Sequence, residues 1–144
     1  MTYQRIHAII LKHKDRSAGQ GLVELALLIP LLLLLILGVF DLGRAFFSII
    51  TITNAAREGA RYGLSYPNDT LGIQNATVNE ANGSGIPVNL GDVSVDCVDM
   101  STPFGKCDPG LPITVTVQHS FDLTLGWLLP SPIDFSRSAV MLVP

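Results

Sequence analysis

The stretch SAGQGLVELALLIPLLLLLILGVF, Ser17–Phe40, carries one charge, Glu24, set just ahead of an unbroken apolar run. Leu25 to Phe40 contains 16 residues without a charge. At 1.5 Å per residue that is about 24 Å of helix, short of the ~30 Å hydrocarbon core of a bilayer, so flanking residues must complete a span. Pro30 lies inside the run. Its missing N–H and its ring predict a kink, of the kind that lipid-embedded helices tolerate.

Charge is distributed unevenly around this run. The chain of 144 residues has a formal net charge of −3 and is 48% hydrophobic. Before Ser17, Arg5, Lys12, Lys14 and Arg16 face only Asp15. Cations ahead of a span favour a cytoplasmic N-terminus and export of the C-terminal part. From Tyr62 onward the only full cations are Lys106 and Arg137, against Glu80 and seven aspartates. A surface so acidic repels phosphate backbones, so no nucleic acid is expected among the partners. Cys97 and Cys107 both fall in the exported part, where oxidising conditions favour a disulfide across the turn Ser101–Gly105.

Beyond Asp41 the helix continues as an amphipathic segment. Leu42, Phe46, Ile49 or Ile50, and Thr53 recur at helical spacing, with Asp41, Arg44, Asn54, Arg57, Glu58 and Arg61 supplying polarity. In TNAAREGARYG, Ala55, Gly59 and Gly63 form one stripe, and Ala56 with Ala60 the next. Small residues four apart let another backbone approach, so this block is expected to pack against a neighbouring subunit. After Tyr66-Pro67-Asn68-Asp69 the pattern predicts a short helix over Thr70–Asn82, a loop to Pro87, and β-prone segments at Val93–Val98, Ile113–His119 and Phe135–Val143. The expected fold class is α+β: a long N-terminal pilin-like transmembrane helix followed by a small antiparallel sheet domain. The chain is thus expected to divide into a basic leader over 1–19, the long helix with its membrane anchor over 20–64, and an exported α+β domain with a disulfide hairpin over 65–144.

The residues that would carry catalysis are not assembled in the sequence. His7 and His13 sit in the basic leader, and His119 stands alone on a strand without ligand spacing. Gly83-Ser84-Gly85 lacks the context of a phosphate cradle. Asp92, Asp96, Asp99 and Asp108 do not match a calcium loop and read as a solvated acidic face. Neither a catalytic residue nor a metal or other cofactor is expected, and the chain reads as a non-enzyme.

Glu24 is different, because an ionised carboxylate near a membrane core costs several kcal/mol unless it is paired. A stretch of small residues, Ser17-Ala18-Gly19, precedes it, whereas an ordinary signal peptide places its small-residue cleavage site after the apolar core. A basic leader ending in glycine, then a helix with glutamate fifth, resembles a prepilin. A cut between Gly19 and Gln20 makes Glu24 fifth, and a cut after Gly21 makes it third. GLVELALLIPLLLLLILGVFDLGRAFF with TNAAREGARYG resembles, more specifically, the TadE-like pseudopilins of tight-adherence (Flp-type) pilus systems.

That resemblance implies removal of the leader after Gly19 by a prepilin peptidase, and a minor pilin-like product working in pilus assembly, adhesion or secretion. The expected partners are the peptidase, other pilins or pseudopilins, pilus assembly proteins and membrane lipid. The resemblance also implies that Glu24 attracts the new N-terminal ammonium of a neighbouring subunit. The alternative is an uncleaved single-pass protein whose extracytoplasmic domain binds a ligand or partner.

Overall fold

In a computed structural model of the full chain, residues 3–97, 107–128 and 130–144 are described, with side chains from residue 19 onward. The turn Ser101–Gly105, with Val98 and Asp99, lies outside the described residues. The fold is α+β, with a long helix first and a three-stranded antiparallel sheet last. The first helix, α1, runs Tyr3–Ser65 and is unbroken through Pro30.

Two units divide the chain, Met1–Phe40 and Asp41–Pro144. In the first, the described apolar side chains are exposed around the whole helix, from Leu22 and Val23 through Leu35 and Ile36 to Phe40. A helix whose described apolar side chains are exposed around its whole circumference suits lipid better than water. By length and composition it is a candidate membrane span.

The second unit begins inside α1. Its other elements are α2 (Thr70–Gly83), a 3-10 turn (Leu90–Asp92), β1 (Val93–Cys97), β2 (Pro112–Phe121) and β3 (Ile133–Leu142), in sheet order β1-β2-β3. Antiparallel register sets Val95 opposite Val115 and Val115 opposite Ala139. Strand alternation puts that row on one face, with Ile113 and Val117 beside it, all three β2 residues fully buried. On the other face Thr116 and Ser138 join hydroxyls at 2.8 Å, and Val140 and Leu142 remain exposed.

The start of α2 is specified locally. Asp69 caps it by accepting the Gly72 N–H at 2.9 Å, and its other oxygen takes the Tyr62 hydroxyl at 3.1 Å. The helix is tied to the sheet and to its own exit by amides. Gln74 donates to the Val93 carbonyl at 2.8 Å, and Asn82 brackets Val88 through both its oxygen and its nitrogen.

The buried face of α1 differs from the expected apolar stripe. Leu42, Phe46 and Ile50 are exposed, while Ser48, Thr51, Ile52, Ala55, Ala56 and Ala60 are buried. The reason is close approach. A Cβ on Gly59 would overlap the Thr77 hydroxyl and come within 3.3 Å of the Ile73 carbonyl, and one on Gly63 would sit 2.6 Å from Ile113 Cδ1. Small side chains on α1 thus admit the backbone of α2 and the side chains of β2, and larger apolar residues cannot face that way. Because this face belongs to the core, the compact unit starts at Asp41, earlier than a division after residue 64.

Gly59→Ala should therefore destabilise the unit by about 1–3 kcal/mol, since Thr77 is fully buried and its hydroxyl is held by the Ile73 carbonyl at 2.9 Å. Thermal unfolding of the full chain in detergent micelles measures this. Adding Thr77→Ala should recover part of the loss by removing the overlapping hydroxyl, whereas strictly additive losses would mean that the two residues do not meet.

Candidate functional site

Gly19, Gln20 and Glu24 lie on exposed turns of α1, and a Cβ at Gly19 would meet nothing within 4 Å. Among the described residues no cation forms an ion pair with Glu24. The carboxylate that the sequence singles out is thus open to a partner from outside the chain.

The small-residue block is not open in this way. Ala55, Ala56 and Ala60 are fully buried, and Gly59 and Gly63 are covered by α2 and β2. The backbone approach expected between subunits is made within the chain. Sequence spacing shows that a stripe of small residues will be approached closely, but it does not show which segment approaches.

Cys97, at the end of β1, and Cys107 stand at disulfide distance, with Cα atoms 5.3 Å apart. The Cys107 N–H donates to Asn68 Oδ1 at 3.1 Å, so this corner is also fixed to the connection between the helices.

One polar constellation has no motif in the sequence. Asp41 is the first charged residue after the apolar run and is 4% exposed. Its two carboxylate oxygens accept the backbone N–H groups of Thr124 and Leu125, each at 3.1 Å, from the loop joining β2 to β3. Arg44, one turn along α1, lies 3.4 Å from the same carboxylate and donates to the Thr124 hydroxyl at 3.0 Å. Its guanidinium also stacks 5.1 Å from the centroid of the Phe121 ring. Asp41 lies just past the charge-free run. Hydrogen bonding with Thr124 foremost, then with the Leu125 amide, and the charge of Arg44 hold its carboxyl below the ordinary carboxylate value, against the opposing effect of burial. In sequence, the only signal is a lone acid directly after an apolar run.

Elsewhere in the second unit an open groove of about 550 Å³ is lined by residues including Asn89, Asp92, His119, Asp134 and Ser136. Asp92 is engaged in capping the 3-10 turn, accepting the Asn89 N–H at 2.8 Å. Among the described residues no group of three His, Cys, Asp or Glu side chains is placed to hold a metal.

The exposed apolar helix, the Glu24 carboxylate and the small-faced segment after them all fall within one segment. Residues 19–61 match the TadE-like protein family. The TadE-like segment takes in the span, Asp41, Arg44 and most of the small-residue face, and it ends before α2 and the sheet. No curated protein and no solved structure matches the chain.

If Asp41 holds the β2–β3 loop, Asp41→Ala should lower the unfolding midpoint of the full chain in micelles by several degrees, because the buried Leu125 N–H loses its acceptor. The sign of the pH dependence is set by the lowered pKa. The stabilisation is complete above the ordinary carboxylate value of 3.8 and is lost as pH falls through the lower value of the folded state. Asp41→Asn should accordingly flatten the loss of stability on acidification, and parallel pH profiles for parent and variant would exclude this carboxylate as the source.

Proposed function

We propose that the chain is a pseudopilin, a minor non-enzymatic component of a tight-adherence pilus. In this reading a prepilin peptidase cuts between Gly19 and Gln20, and the mature helix is held in the cytoplasmic or inner membrane with the unit from Asp41 onward outside it. The register carries the reading: the family match begins at Gly19, and Glu24 stands fifth after that glycine. Cleavage creates an α-amino group at Gln20, and the ammonium of one subunit pairs with Glu24 of the next. That pairing offsets the cost of a carboxylate at membrane depth and sets the stagger between adjacent helices.

Subunit packing is assigned to the segment over 20–40, whose side chains are exposed, since the block from Ala55 to Gly63 is covered within the chain. The folded unit Asp41–Pro144 is the larger part of the chain and supports a minor component that contacts other pilus proteins. A second reading, an uncleaved anchored protein with a ligand-binding domain, draws on the open groove beside His119.

Intact mass and N-terminal sequence of the protein from cell envelopes separate these readings. A start at Gln20 is expected, and a start at Met1 in cells with an active prepilin peptidase would contradict the pseudopilin. Glu24→Ala should leave membrane insertion intact while reducing recovery of the protein with assembled pili, and undiminished recovery would contradict the pairing.

A further inference from the structure

We infer that the β2–β3 loop seats Trp127 and Leu128 in the boundary between lipid headgroups and acyl chains, at the level where α1 leaves the membrane. This rests on the reading of residues 20–40 as a membrane span. Trp127 is 77% exposed and Leu128 is 52% exposed, although the turn bearing them is well built. The Gly126 N–H donates to the Leu123 carbonyl at 3.1 Å, and the Leu128 N–H donates to the Leu125 carbonyl at 2.8 Å. The Ser131 hydroxyl accepts the Leu123 N–H at 3.2 Å, closing the loop across its base. A Cβ on Gly126 would lie 3.1 Å from the Leu123 carbonyl and 3.1 Å from Ser131 Cβ, so the turn is closely packed at this position.

The loop is placed by Asp41. Leu125 is buried and its N–H is bonded to that carboxylate. Trp127 comes two residues later, so its Cα lies within about 8 Å of the Leu125 Cα. The zone between hydrocarbon and water is roughly 5–8 Å deep on each side of a bilayer, which makes that reach sufficient. Leu42, next to Asp41 in the chain, is 57% exposed and adds apolar surface beside it. Arg44 is half-exposed beside the loop, where a cation suits lipid phosphate. An indole has an apolar body and one N–H donor, the chemistry that prefers this interface.

Trp127 is the only tryptophan, so its fluorescence reports this contact without a label. The full chain is reconstituted in vesicles of phosphatidylethanolamine and phosphatidylglycerol, and flotation first establishes that it is membrane-bound. The expected result is blue-shifted emission, protection from aqueous iodide, and several-fold stronger quenching by lipids brominated near the headgroup than by lipids brominated near the chain ends. Leu128→Glu, at an exposed position, should shift the emission red and restore iodide quenching. Floated protein with solvent-like, iodide-quenched emission would overturn the loop contact while leaving the span intact. Emission protected from both iodide and brominated lipid would overturn it in favour of contact with a second copy of the chain. Protein that fails to float would remove the span and this contact together.

Discussion

The carboxylate of Asp41, accepting two loop N–H groups at 3.1 Å, is the interaction through which the start of the folded unit is fixed. It is a strong kind of contact, an ionised acceptor with backbone donors and little solvent access. It spans more than 80 residues of sequence and joins the residue that ends the apolar run to the connection between the two longest strands. Arg44 extends it by bonding Thr124 and lying over Phe121, which in turn packs 5.7 Å from Phe135. The start of the unit, the end of β2 and the start of β3 are thereby one structural corner.

The long helix is matched to two different surroundings. From Leu25 to Phe40 its exposed side chains are apolar, which suits lipid. After Asp41 one face carries only small or hydroxylated residues and isoleucine, and it accepts α2 and β2 at distances that Gly59 and Gly63 make possible. The large apolar residues of the same segment, Phe46 and Phe47 among them, remain outside. An exposed apolar segment and a domain core are thus separated along the helix, the first before Asp41 and the second after it. In the proposed pseudopilin this lets helices associate in the membrane without disturbing the folded unit.

Much of this fold was legible because its signals are local. Alternation marked β1, β2 and β3 to within a few residues, Asp69 and the preceding proline marked the start of α2, and an even cysteine count marked a pair now seen at disulfide distance. The face of α1 was not legible, since hydrophobic periodicity favours large residues and this interface selects small ones. Leu42, Phe46 and Ile50 therefore looked like core, and Ser48 and Thr51 did not. Asp41 carries no recognisable motif in the sequence for a related reason. Its partners are backbone amides of a distant loop, which carry no residue-type signature, whereas Glu24 stands in a register that the family resemblance makes readable.

The central claim, that the folded unit begins at Asp41 and is closed there by the loop after β2, is tested most directly by amide hydrogen exchange on the isotope-labelled full chain in micelles. The Thr124 and Leu125 amides should exchange as slowly as those of paired β2 residues such as Val115, although they lie in a surface connection. Exchange at these two amides as fast as in an unstructured peptide, with β2 still protected, would show that Asp41 does not close the unit.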